Sequence, residues 1–170
     1  FGEENPKHRI RSVLSYKKPA FWVILIAVVA CVVLGEYNYA VDSKGRLNFP
    51  AKFREKMGQT FIVTKWLDNC LVAFPQEEWE RMDALLEEKG MLKPRQVKRF
   101  LYAYACEVEP DKQGRILLSP SLRAHAGLTK DVTIIGVGRY AEIWDTAAWH
   151  KAEQELDSAH VEAAMEEMGF

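Results

Sequence analysis

Residues 42–54 read DSKGRLNFPAKFR, and residues 111–123 read DKQGRILLSPSLR. Both stretches run Asp-x-x-Gly-Arg, then a short apolar segment, a proline and a closing arginine. Asp42 and Asp111 stand 69 residues apart, as do Arg54 and Arg123. The offset persists beyond the motif: Phe74 to Trp144 and Trp79 to Trp149 are each 70 apart. Self-similarity at a fixed offset marks an internally duplicated unit. A unit of this size buries a core poorly by itself, so the two copies are expected to pack together and complete each other's sheet.

Each copy reads as short strands and short helices in the same order. In EYNYAVD, residues Tyr37, Tyr39 and Val41 alternate as one face of a half-buried strand. Asp42 to Gly45 is turn chemistry, because Asp bonds its own following backbone and Gly accepts positive φ. RLNF is the return strand. Pro50 opens a helix that Gly58 closes, since a first-turn proline wastes no hydrogen bond. FIVTKW and CLVAF are strands around a turn at Asp68-Asn69, and Pro75 starts the acidic helix QEEWERMDALLEEKG. The second pass gives CEVE, a turn at Asp111 to Gly114, RILLS, a helix after Pro120, then VTIIGV, AEIW and a helix near Thr146. Between the copies LKPRQVKRFLYAYA reads as a helix with Val97, Leu101 and Tyr104 on its apolar side. In the second copy Ser119 stands where the first has proline and Pro120 follows, which moves the expected helix start. The fold class is therefore mostly β with short helices. The divisions are a front segment 1–34, a first unit 35–90, a linking helix 91–105 and a second unit 106–170.

Chemistry is sparse outside the motif. Cys31, Cys70 and Cys106 form no C-x-x-C pair and read as thiols in a reducing compartment. The four histidines are scattered, so no metal site is expected. No Ser/His/Asp set and no phosphate-cradling Gly-rich loop is present, so neither catalysis, a cofactor nor a small-molecule substrate is expected. Net charge is only −1, and any nucleic-acid reading rests on local patches. Residues 42–56 carry Lys44, Arg46, Lys52, Arg54 and Lys56 against Asp42 and Glu55, a local +3. KPRQVKR at 93–99 is a second basic stretch.

Lys44, Arg46, Arg54, Lys112, Arg115 and Arg123 are the candidate DNA contacts, because guanidinium forks match phosphate oxygens and guanine edges while lysine acts as a point charge. Asp42, Gly45, Asp111 and Gly114 are the motif's structural residues. A competing reading pairs Asp42 with Arg46 and Asp111 with Arg115 merely to hold each turn.

The front end differs in kind. Ala20 to Leu34 is an unbroken apolar run of 15 residues, short of the roughly 18–20 that span a bilayer as a helix. GEENPKHRIRSVLSYKKPAFWVILIAVVACVVL resembles the transmembrane region of BlaR/MecR-type antirepressor metalloproteases, without their zinc-binding helix. Residues 1–34 are accordingly read as a fusion fragment forming a hydrophobic helix. They give a membrane contact only if that helix inserts.

GEYNYAVDSKGRLNFPAKFR…FIVTKWLDNCLVAFPQEEWE, with CEVEPDKQGRILLSPSLRAHAGL…DVTIIGVGRYAEIW, resembles the MraZ family over 35–170. Trp66 departs from the small residue common there. The resemblance implies tandem SpoVT/AbrB-like swapped-hairpin units forming one pseudo-symmetric double-ψ-like β-barrel body, each unit marked by Asp-x-x-x-Arg: Asp42 and Arg46, Asp111 and Arg115. It further implies a cytoplasmic, nucleoid-associated repressor of the division and cell-wall gene cluster. Such a repressor binds promoter direct repeats as a ring-shaped homo-oligomer. Alternatives are an AbrB-fold interaction or antitoxin-like module, and a regulator tethered by 1–34.

Overall fold

A computed structural model describes residues 33–88, 93–156 and 158–168. The hydrophobic helix expected at the front falls on 1–32, outside the described residues. The last two residues of the apolar run are not helical; they begin strand β1 (Val33–Ala40). Among the described residues no helix is long and apolar enough to cross a membrane.

After β1 the chain runs through β2 (Arg46–Asn48), α1 (Ala51–Met57), β3 (Phe61–Lys65), a single 3-10 turn at Leu67–Asn69, β4 (Leu71–Pro75) and α2 (Gln76–Glu88). It continues with α3 (Lys93–Tyr102), β5 (Cys106–Val108), β6 (Arg115–Leu117), α4 (Pro120–His125), β7 (Asp131–Gly138), β8 (Tyr140–Asp145), α5 (Thr146–Glu155) and α6 (Ser158–Met168). The fold is mostly β with short helices, and every strand pairing is antiparallel.

Among the described residues six strands form one sheet in the order β1-β7-β8-β4-β3-β5, and β2 pairs with β6 in a separate ribbon, Leu47 also bridging Val41. The expected closed barrel is therefore corrected: β1 and β5 are edges that do not pair with each other. β2 and β6, three residues each, pair with one another across the two halves, and the isolated Leu47 bridge to Val41 falls just past β1. The halves are interlocked at four places, the β3–β5 pairing among them. β1 pairs with β7, β4 with β8 and β2 with β6.

The main core draws on both halves. Leu47, Phe53, Phe61, Val63 and Leu71 pack with Ile116, Leu122, Val132, Ile134 and Ile143, all fully shielded. Tyr37 and Tyr39 lie against this core and Val41 is inside it, as alternation in β1 requires. A second cluster joins Ile62, Val72, Phe74, Trp79 and Leu101. It sits on the other side of the sheet, because Ile62 and Val72 alternate with Phe61 and Leu71.

The linking helix differs from its expected pattern. Leu101 is buried, but Val97 and Tyr104 are exposed, and Tyr104 lies past the helix end. The helix touches the sheet only near its C-terminus, where Thr64 Oγ1 donates to the Leu101 carbonyl. At its other side Lys98 bridges to Asp83 and Glu87 of α2. The expected shift of the second-copy helix does not occur. α1 starts at Ala51 and α4 at Pro120, 69 residues apart like the motifs. Ser119 takes the N-cap and its Oγ accepts the Leu122 N–H, with Pro120 at the first helical position. Pro50 occupies the equivalent flanking position of α1 rather than its first turn.

Candidate nucleic-acid interface

The two Asp-x-x-Gly-Arg turns are built alike. Gly45 N–H donates to the Asp42 carbonyl at 2.9 Å and Asp42 N–H to the Arg46 carbonyl at 2.9 Å. The counterparts are Gly114 to Asp111 at 2.7 Å and Asp111 to Arg115 at 2.8 Å. In each turn one aspartate oxygen accepts two backbone N–H groups, from Lys44 and Arg46 or from Gln113 and Arg115. The other oxygen takes the arginine: Arg46 Nε at 2.6 Å, and Arg115 Nε and Nη2 at 2.9 and 2.7 Å. Gly45 and Gly114 have φ of 80° and 77°, in the left-handed region that excludes most side chains.

These bonds shift the carboxyls. The Arg46 backbone N–H, helped by its guanidinium and the Lys44 N–H, holds the Asp42 carboxyl below the usual range. At Asp111 the Arg115 side chain acts first, followed by its backbone N–H, and the pKa falls to about 2. Both aspartates are therefore ionised at neutral pH and both arginines are ion-paired. A guanidinium carries five N–H donors, so a carboxylate on its Nε edge leaves others to bind a second anion.

Arg46 and Arg115 sit at opposite ends of the β2–β6 ribbon, where Arg46 pairs with Leu117 and Asn48 with Arg115. Leu47 and Ile116, paired between them, point into the core. Alternation puts Arg46, Leu117, Asn48 and Arg115 together on the outward face. Leu117 is 63% exposed there. Asn48 and Leu117 were missed by motif reading, although period-2 alternation in RLNF and RILL would have found them. A two-stranded ribbon fits the roughly 12 Å major groove, where Arg reads guanine, Asn reads adenine and an apolar group meets the thymine methyl.

Lys44 and Lys112 are exposed at the turn tips. Arg54 and Arg123, grouped with them from sequence, are placed otherwise. Both are partly buried and neither belongs to the ribbon. Arg54 Nε donates to the Phe49 carbonyl at 3.0 Å, and Arg123 Nε to the Leu118 carbonyl at 3.2 Å. Their guanidinium groups lie against the turn glycines of the opposite copy, Arg54 on Gly114 and Arg123 on Gly45. The second basic stretch is partly neutralised, since Lys98 is shared by two carboxylates. Among the described residues no group of His, Cys, Asp and Glu could hold a metal ion. Cys70 is buried, and burial pushes its thiol up, away from a reactive thiolate.

Two matched turns joined by one ribbon can be compared with known proteins. Residues 32–97 and 101–169 each match the family model described as "MraZ protein, putative antitoxin-like". The chain belongs to the MraZ family. A transcriptional regulator MraZ from Acetivibrio thermocellus is 45% identical over 140 residues, covering 80% of this chain and 98% of that protein. The one from Heliobacterium modesticaldum is 43% identical over 139 residues, 81% of this chain and 97% of the relative. That of Caldicellulosiruptor saccharolyticus is 45% identical over 147 residues, 82% and 100%. An MraZ-family chain is a transcriptional regulator and not an enzyme.

Proposed function

We propose that this chain is a DNA-binding transcriptional repressor of the division and cell-wall gene cluster. It acts as a ring-shaped homo-oligomer on direct repeats in the promoter. The observation that carries the reading is the outward face of the β2–β6 ribbon, with Arg46 at one end, Arg115 at the other and exposed lysines on both turns. Lys44, Arg46, Lys112 and Arg115 meet DNA; Asp42, Gly45, Asp111 and Gly114 shape the turns. The body divides into units 35–90 and 106–170 of the swapped-hairpin type, joined by 91–105, with 1–34 a segment of other origin. It works in the cytoplasm at the nucleoid, without cofactor or small-molecule substrate. One ribbon makes few phosphate contacts. Several ribbons in register on one face of a head-to-tail ring bind direct repeats through effective concentration, with strong salt dependence.

Titration of the protein on DNA with several direct repeats, at two salt concentrations, tests this. Binding is expected to weaken steeply with salt, and Arg46→Ala with Arg115→Ala to abolish it while the oligomer keeps its sedimentation coefficient. Salt-insensitive binding, or none, would sink the repressor reading. One observation favours a second reading: Asp42 and Asp111 already hold the ribbon arginines. On that reading the face is an AbrB-fold, antitoxin-like interaction surface for an acidic protein segment, and the double variant loses a protein partner while DNA never binds.

A further inference from the structure

The strongest unexplained feature is a pair of reciprocal clasps between the halves. Phe49 N–H donates to the Gly114 carbonyl at 3.0 Å, and Leu118 N–H to the Gly45 carbonyl at 2.9 Å. Each strand-end residue thus binds the other copy's turn through its N–H. Its own carbonyl then accepts an arginine, Phe49 from Arg54 and Leu118 from Arg123. The guanidinium finishes on the same glycine. A Cβ on Gly114 would lie 2.7 Å from Arg54 Cζ, and one on Gly45 would lie 3.0 Å from Arg123 Nε. The first is closer than real Cβ atoms come and the second is at the tight limit, so a side chain at either glycine would push the arginine out of the clasp, besides straining the positive φ.

We infer that Arg54 and Arg123 are positioning residues: each clamps the turn of the opposite copy, so that the two Asp-x-x-Gly-Arg turns form one coupled platform. Three facts support this over direct phosphate binding. The Nε of each arginine is committed to a carbonyl. Each guanidinium packs over a buried glycine of the opposite turn, and neither arginine lies on the outward face of the ribbon. The turn held by Arg54 carries Arg115, and the turn held by Arg123 carries Arg46. Movement of either clamp therefore reaches the ribbon arginine of the other copy. The inference rests on the DNA-facing reading of the ribbon for its consequence, but not for its geometry.

The test uses the full chain with Arg54→Lys and Arg123→Lys, which keep the charge and remove the Nε bond and the planar fork. In the free protein, Arg54→Lys should shift the amide resonances of Gly114 and Arg115 more than those of Gly45 and Arg46. Arg123→Lys should show the reverse. On repeat DNA each variant should bind at least tenfold more weakly, with the slope of log affinity against log salt unchanged. A double-mutant cycle should couple Arg54→Lys to Arg115→Ala and leave it additive with Arg46→Ala. Wild-type affinity in both lysine variants would overturn the proposal, since charge alone would then suffice. So would amide shifts confined to each variant's own turn. Should one lysine variant fail to fold by circular dichroism, its counterpart in the other copy decides. Absence of DNA binding by the unaltered chain would sink the repressor reading only, leaving the amide experiment to judge the clasp.

Discussion

Gly114 and Gly45 show how one residue type can serve two demands. Left-handed backbone alone makes alanine cost about 1–2 kcal/mol. At Gly114 the new methyl also collides with the Arg54 guanidinium, whereas Gly127, with φ of 60°, faces open space. Gly114→Ala should therefore lower the thermal midpoint more than Gly127→Ala, measured by calorimetry; equal losses would mean that the clasp adds nothing. The aspartates give a pH prediction. Their folded pKa values are depressed, so their contribution is complete above the unfolded carboxylate value of about 3.9 and is lost as pH falls through the folded value. For Asp111 the window runs down to about 2. The Gln113 and Arg115 amides, which donate to its carboxylate, should titrate with a midpoint at about 2, and Asp111→Asn should remove the transition. Aspartate, glycine and arginine in each turn were legible in the sequence because the bonds of the aspartate, to backbone and to arginine, close within five residues. The roles of Arg54 and Arg123 were not legible, because the atoms they pack on lie in the other copy.

Helix and strand ends followed local rules closely. Ser119 caps α4 through its hydroxyl, and Ser119→Ala should cost about 1 kcal/mol of stability by denaturant titration. No loss would show that Pro120 alone positions the helix. Asp68 and Asn69 form the expected turn, with φ of 56° and 57°. The linking helix was the element read least well. Its apolar residues at 97, 101 and 104 have helical spacing, yet Leu101 alone is buried, Tyr104 lies past the helix end with Lys65 of β3 over its ring, and Val97 is exposed. Spacing shows which residues share a face, but not how far a helix end overlaps its support. Here Val97 is left exposed, and Lys98 beside it bridges to α2.

At the scale of the molecule, neither half contains a complete sheet. β1, the inner edge of β4 and β2 all find partners in the second half. Unfolding should be a single cooperative transition, coincident by tryptophan fluorescence and circular dichroism, and residues 35–105 expressed alone should lack dispersed amide resonances. A folded isolated half would contradict the interlocked sheet. Leu47 and Ile116 face the same core from opposite halves. Leu47→Ala is expected to cost about 2–5 kcal/mol, and its loss should depend on whether Ile116 is also truncated.

The sequence by itself determined the duplicated turns, the glycines and prolines that punctuate them, and a mostly β chain with short helices. Those features depend on contacts within a few residues and on alternation along single strands. Only the tertiary structure decided that the sheet stays open, that β2 chooses β6, and that each arginine clamp crosses to the opposite copy. Several strands here share the same alternation, and what selects a partner among them is the packing of the whole core.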